Sequence, residues 1–315
     1  MAVTVSPLFS PWGRFGLYSF LIDAEEPAIV DAGVTSTVDG TVAELEKSGR
    51  RIEDVRWILL THGHIDHLGG AHALWELTGR KAKVVIHEAD LDYLRRRRAH
   101  VENYLELRDH YLDNPEAESQ QTAATEAAIS GEMNADVILR GGESLSLGGG
   151  VSVSVHGIPG HTAGSVAYVI DGQNDVFVGD AVQIHGAANG FPGYEDPDAY
   201  RGSLEFLRDT IRPARLFLGH PYRDSTGEPF EIGLDAEGAA RAIDESLEIE
   251  ARIRAAAARA IEHGLSESSS PYSPFESVAA ELGYTSDPSL EPSPFFTTMD
   301  GYRRRIALRE QPPRT

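Results

Sequence analysis

The sequence predicts an α/β protein, and three observations carry that prediction. Apolar runs of strand length, such as 57–60 and Val166–Ile170, alternate with segments of helical spacing such as Val38–Lys47. Several of these runs end where ligand-type side chains begin: 57–60 stops at Thr61, and His62, His64, Asp66 and His67 follow within six positions. The length of 315 residues suffices for one large α/β domain plus an appendage.

Taken in order, 17–23 and 27–33 read as two strands joined by the polar turn Ala24-Glu25-Glu26. Val38–Lys47 places Val42, Leu45 and the aliphatic stem of Lys47 near one another on a helix that Gly49 stops. The run 57–60 is a buried strand, Ala71–Leu77 a helix and 82–87 the next strand. Between 88 and 136 the composition is largely helical, an insertion in which Leu91, Leu94, Val101, Tyr104, Leu105 and Tyr111 form a stripe. That stripe serves either as a lid over a site or as an outer decoration. Arg95 to Arg98 either receive an anionic substrate tail or form a solvated helix face.

The segment 143–155 alternates like a hairpin around three glycines, and His161 sits in the loop before strand Val166–Ile170. Strand 176–178 leads to Gly179-Asp180. The stretch 182–200, rich in Gly, Pro and aromatics, is the best candidate for a substrate-contacting loop, with Gln183, His185, Phe191 and Tyr194 as its contacts. A helix at 198–210 and a short strand at 216–218 deliver His220. A long Ala, Glu and Arg-rich helix spans 235–263, followed by a linker-like break at 266–274, a short helix at 275–282, a Pro and Ser-rich stretch and a basic tail. The expected division is a domain at 1–234 and a helical extension with tail at 235–315.

Composition narrows the function. Apolar content of 41% and charged content of 24% are those of a globular protein, and no apolar run approaches the roughly 18 residues of a membrane span. The start of the chain lacks a basic stretch followed by an unbroken apolar one, so the expected location is cytoplasmic. A net charge of −21 argues against a nucleic-acid partner, because phosphate binding is driven by Lys and Arg. Cysteine is absent, which removes disulfides, thiolate nucleophiles and Cys metal ligands together. Any metal must be held by His and Asp.

The histidine cluster has the chemistry for that. Neutral imidazole and carboxylate suit zinc, iron or manganese. On a helix, two ligands of one ion sit at i and i+4, whereas His62 and His64 are two apart and point the same way only from an extended or looped backbone. Asp66 and His67 follow in a different direction, which suggests a second ion beside the first. Gly69 and Gly70 then let the chain turn. His72, His87, His100, His110, His156 and His263 have no such company and read as solvated or packing residues.

His62-Gly63-His64-Ile65-Asp66-His67 is the H-x-H-x-D-H pattern, and four further motifs accompany it in order. These are V-D-A-G at 30–33, P-G-H-T at 159–162, V-G-D at 178–180 and L-G-H at 218–220. Over roughly 17–221 the chain thereby resembles the metallo-β-lactamase-fold hydrolase superfamily. The resemblance implies a four-layer αββα sandwich, to which are added the helical insertion at about 88–136, where the chain leaves the family pattern, and the C-terminal helical extension. It implies that His62, His64 and His161 hold one metal and Asp66, His67 and His220 a second, with Asp180 bridging and Asp31 supporting the metal loop by hydrogen bonds from behind. From the residues alone Asp31 reads equally as a turn former before Gly33. The implied cofactor is two divalent ions, zinc first with iron or manganese as alternatives. Asp66 and Asp180 are the catalytic carboxylates.

The implied reaction is hydrolysis of an ester, thioester or lactone by a metal-bridging hydroxide acting on a small molecule. The chain resembles the glyoxalase II branch in its motifs and its helical appendage. Acyl-homoserine lactonases are similar but usually place Tyr three residues after the bridging Asp, where this chain has Gln183. A β-lactamase proper is disfavoured by the missing export signal. A mononuclear iron persulfide dioxygenase shares the scaffold and stays open, as does a homodimer. A binding protein on a dead scaffold is disfavoured, since all seven donors are present.

Overall fold

The computed structural model describes residues 3–13, 15–108, 111, 114–187, 190–288 and 293–310. Among these, β1 (Thr4–Trp12), β2 (Phe15–Asp23), β3 (Ala28–Val30), β4 (Trp57–Leu59), β5 (Lys83–His87) and β6 (Val137–Leu139) form one six-stranded sheet in chain order. β1 to β3 pair antiparallel, and β3 to β6 are parallel. β7 (Ser144–Ser146), β8 (Ser152–Gly157), β9 (Val166–Ile170), β10 (Asp175–Phe177), β11 (Arg215–Phe217) and β12 (Gly233–Asp235) form the second sheet, parallel only between β10 and β11.

Strand alternation explains the layers. Phe20, Ile22, Val30, Leu59 and Val85 of the first sheet face Val153, Val155, Tyr168, Ile170, Phe177 and Phe217 of the second in one apolar cluster. Their neighbours Leu21, Ile29, Ile58, Val84 and Ile86 point to the opposite face. There they meet α1 (Val38–Lys47), α2 (Ile65–Leu68), α3 (Ala71–Leu77) and α4 (Leu91–Arg95) through Leu45, Leu68, Leu74 and Leu94. Val169, Val176 and Leu216 turn to the outer face of the second sheet. Sheets covered on both sides read as continuous apolar runs, as 57–60 does. The result is the four-layer αββα sandwich.

The insertion is helical, with α5 (Arg97–Arg108) and α6 (Ala117–Ala128) following α4. Its apolar stripe divides. Leu91 and Leu94 join the core outside the first sheet, while the Tyr111 ring stacks on Phe296 at 4.9 Å. The Arg95 to Arg98 run is spent on structure: Arg95 donates to Asn134, Arg96 pairs with Asp92, Arg97 donates to the Ile129 carbonyl, and Arg98 pairs with Glu118 at 2.6 Å. This is the helix-face alternative. His110 lies outside the described residues.

α7 (Pro197–Phe206), α8 (Ala236–Glu262), α9 (Glu276–Leu282) and α10 (Pro294–Glu310) cover the second sheet. α7 starts where Asp196 accepts from the Asp198 and Ala199 amides, with Pro197 in its first turn. α8 starts where Asp235 accepts from the Gly238 amide at 2.8 Å. Three elements differ from expectation. β1 carries Pro7 and Pro11, which suit it because it is an edge strand with one side free of ladder bonds. β12 is short and forms one edge of the second sheet. The basic tail is the helix α10, whose Phe295, Phe296, Met299 and Tyr302 are buried. No helix among the described residues is long and apolar enough to cross a membrane.

Candidate metal centre

The candidate donors gather at strand ends, with Asp66 and His67 on the short helix α2 that follows β4. β4 runs into Thr61 and His62, β10 into Asp180 and β11 into His220, and His161 lies in the loop from β8 to β9. The backbone is still extended at His64 (φ −71°, ψ 151°), and α2 begins at the next residue. That break is why His62 and His64 share one direction while Asp66 and His67, on the helix, take another. Three groupings result, each with its donor atoms within 4.8 Å of one another: His62, His64 and His161; His62, His67 and Asp180; Asp66, His67 and His220.

The motif glycines allow this crowding. A Cβ on Gly219 would lie 2.4 Å from Asp180 Oδ1, and one on Gly179 would lie 2.3 Å from Thr61 Oγ1. Asp31, in the left-handed region at φ 58°, turns its carboxylate into the same layer. It accepts from the Thr61 amide at 2.8 Å and the Thr61 hydroxyl at 2.8 Å, and lies 2.9 Å from His67 Nδ1. It therefore ties the end of β4 to the helix that carries His67.

The outer nitrogens of the imidazoles are engaged away from the centre. His161 Nδ1 lies 2.7 Å from the Gly193 carbonyl and His220 Nδ1 lies 2.8 Å from the Gly16 carbonyl, so both carry the proton there. Their Nε2 lone pairs then point inward. His161 Nε2 stands 3.2 Å from His62 Nε2, and His220 Nε2 stands 3.3 Å from His67 Nε2. Two facing acceptors do not bond each other, and a cation between them resolves the contact. Asp66 Oδ2 lies 3.1 Å from His220 Nε2, and Asp180 Oδ1 is buried without a hydrogen-bond partner. This donor set fits divalent metal ions.

Charge divides the cluster. Burial, with His161 next, pulls His64 down to about 3, and burial likewise lowers His62 and His161, so this group is neutral and ready to ligate. Burial also opposes a charge on His220, but Asp180 and Asp66 outweigh it and push His220 up to about 10, so its Nε2 takes a proton wherever a bound cation does not take its place. His67 is raised in the same way by Asp180, Asp31 and Asp66. His64, Ile65 and Asp66 are half-buried while His62, His67, His161 and His220 are buried, so the cluster opens over 64–66.

The expected substrate loop is placed differently. Gln183 lies behind His161, 3.0 Å from its Nδ1, and accepts from the Gly193 amide at 2.8 Å. Phe191 is buried against Phe295 and Tyr284. Tyr194 is fully buried, stacked on Tyr200 at 4.3 Å with its hydroxyl 3.0 Å from that of Tyr302. His185 lines a separate cavity of about 220 Å³ with Ile249, Arg252 and Tyr284. An aromatic loop that packs a helical layer onto a sheet has the composition of one that meets a substrate, and the burial is tertiary.

Other residues carry no sequence signal. His100 packs with its Nε2 2.9 Å from the Tyr93 carbonyl. Tyr222 stands edge-on to His220 at 5.6 Å, and burial, then the adjacent Asp180 carboxylate, raises its hydroxyl. Asp90, 1% exposed, accepts hydrogen bonds from the loops of His62 and His161. The motif spacing that singles out Asp31 is missing at these positions.

Comparison with known proteins agrees with this architecture. The sequence profile of the metallo-beta-lactamase superfamily matches residues 12–220. A hydroxyacylglutathione hydrolase of Synechococcus sp. (strain JA-2-3B'a(2-13)) is 27% identical over 194 residues, 61% of this chain and 60% of that protein. A beta-lactamase hydrolase-like protein of Xylella fastidiosa (strain 9a5c) is 27% identical over 219 residues, 69% of this chain and 43% of its own length. The chain thus spans less than two thirds of these relatives. The crystal structure of a metallo-beta-lactamase family protein from Thermus thermophilus superposes with a TM-score of 0.68 at 22% identity, covering 96% of this chain and 93% of the other.

Proposed function

Because the chain belongs to the metallo-beta-lactamase superfamily, we propose that it is a metal-dependent hydrolase that cleaves an acyl bond. In this reading His62, His64 and His161 would hold one divalent cation and Asp66, His67 and His220 a second, with Asp180 available to both. The observation that carries it is the two pairs of facing Nε2 atoms, at 3.2 Å and 3.3 Å: the Nδ1 atoms of His161, His220 and His67 are committed to carbonyl or carboxylate oxygens, and that of His62 lies 3.1 Å from the Thr61 hydroxyl. Two such cations, zinc by preference for nitrogen and carboxylate donors, acidify a water and stabilise negative charge developing on a carbonyl oxygen.

The remaining work falls to the chain. The approach over 64–66 is the face on which a substrate carbonyl meets the cluster. Burial opposes a charge on Asp66 and Asp180, but the positive charge beside them, on His67 and His220 or on a cation those imidazoles would hold, outweighs it, lowers both carboxyls and keeps them ionised. At neutral pH they accept hydrogen bonds from the attacking water and orient it. No serine or cysteine nucleophile is needed.

Thioesters are the first substrate class in this proposal, supported by similarity to the hydroxyacylglutathione hydrolase of Synechococcus. Esters and lactones follow. A panel of thioesters, lactones and simple esters, assayed with metal-replete protein in air and without oxygen, tests the reading. Hydrolysis that persists anaerobically is expected. Turnover that consumes oxygen and requires a single iron would overturn it, as would inactivity toward the whole panel.

A further inference from the structure

One buried carboxylate outside the donor set binds together the two loops that supply the first candidate group. Asp90 ends the turn after β5 and is 1% exposed. Its Oδ2 accepts from the Gly63 amide at 2.7 Å and from the Thr162 hydroxyl at 2.7 Å, and its Oδ1 accepts from the Gly164 amide at 3.0 Å. Gly63 lies between His62 and His64, and Thr162 follows His161. The carboxylate therefore spans the gap between the strand-end loop and the second loop just behind the three imidazoles.

The approach is built into the glycines. A Cβ on Gly164 would come within 2.4 Å of Asp90 Cγ, and one on Gly63 within 2.9 Å of Asp90 Cβ and 2.6 Å of the Tyr93 ring. Hydrogen bonds to a buried carboxylate are short and strong, and removing the acceptor leaves the Gly63 and Gly164 amides unsatisfied and the Thr162 hydroxyl with only Ser165, at 2.9 Å. His64 depends on this clamp most. Its imidazole has no hydrogen-bond partner among the described residues, so its position is set by the backbone that the Gly63 amide anchors.

The other group is fixed by different means. His67 is held by Asp31 at 2.9 Å, and His220 by the Gly16 carbonyl at 2.8 Å. Asp90 makes no hydrogen bond to Asp66, His67 or His220 among the described residues. We infer that Asp90 is a positioning residue that holds His62, His64 and His161 in register and sets the cation affinity of that group separately from the other. This rests on the two-cation reading above.

Zinc titration of demetallated protein against a chromophoric chelator tests it. Wild-type protein is expected to take two equivalents. Asp90→Asn, which keeps one carbonyl oxygen and turns an NH₂ toward existing donors, should weaken one equivalent about 10–100-fold and leave the other unchanged. Cobalt substitution gives a second readout, with the absorption of one site altered in Asp90→Asn and that of the other retained. Thr162→Val, which removes a single donor, should weaken the same equivalent several-fold and carries the test if Asp90→Asn does not fold. Two equivalents of unchanged affinity in both variants, or equal weakening of both sites, would overturn the inference while leaving the two-cation reading intact. Wild-type protein that takes up no zinc would overturn the reading itself and the inference with it.

Discussion

At the scale of single residues, the account depends on carboxylates that fix imidazoles. Asp180→Ala removes the carboxylate that lies 3.2 Å from His67 Nε2 and 3.3 Å from His220 Nε2 and should lose bound metal and turnover together, as elemental analysis and the acyl-bond assay will show. Glu195 gives a test independent of catalysis. Burial, and then Asp90, pushes its carboxyl up to about 7 from an ordinary value of 4.5. A raised carboxyl pKa means that the folded chain holds its proton longer than the unfolded chain, so stability is full below about pH 4.5 and falls as pH rises to about 7. Glu195→Gln should match wild type in melting at pH 4 and exceed it by about 1–3 kcal/mol at pH 8. Asp31 shows what a sequence discloses at this scale. Its place in V-D-A-G made it a candidate, but only the structure gives its left-handed backbone and its bonds to Thr61 and His67. Tyr194 shows the limit, because nothing in a glycine- and proline-rich loop distinguishes an aromatic ring facing solvent from one stacked in a core.

At the scale of elements, strands with apolar alternation and helices with clear spacing were legible. Val38–Lys47, Ala71–Leu77 and Val166–Ile170 have the bounds expected of them. β1 was not, since two prolines argue against a strand until its edge position is known. Nor was α10, whose basic surface residues mask a buried aromatic face. α10 is fastened by a polar network around the fully buried Glu250, which lies 2.7 Å from Arg254, 2.9 Å from Arg201 and 2.9 Å from the Tyr302 hydroxyl. Glu250→Ala removes one acceptor from two guanidinium groups and a hydroxyl, leaving Arg254 with Asp198, Arg201 with Glu205 and the Tyr302 hydroxyl with that of Tyr194. Because the arginines are about a third exposed and relax toward water, the expected loss is up to about 3 kcal/mol, read by chemical denaturation. Tyr302→Phe, which deletes one hydroxyl, should cost about 1 kcal/mol.

At the scale of the molecule, α7 to α10 share one apolar cluster with the outer face of the second sheet. Residues 235–315 are therefore expected to unfold together with the sandwich, and a chain ending at 234 should expose Val176, Leu216 and their neighbours and fail to fold. Calorimetry of the full chain and expression of the short one check this. The charge of −21 adds a second expectation. Raising salt from about 0.1 M to about 1 M shortens the screening length from about 10 Å to about 3 Å, relieves self-repulsion and should raise the melting temperature by about 5 °C or more. The arrangement of strand ends around one cluster was legible because five motifs each follow an apolar run. The clamp of Asp90 was not, because its partners are backbone amides that no residue identity reveals. The most direct test of the central claim is a count of metal ions in the purified, zinc-replete chain by elemental analysis alongside a crystal structure with anomalous scattering. The account predicts two ions, one between His62, His64 and His161 and one between Asp66, His67 and His220; a single ion, or none within reach of these side chains, would contradict it.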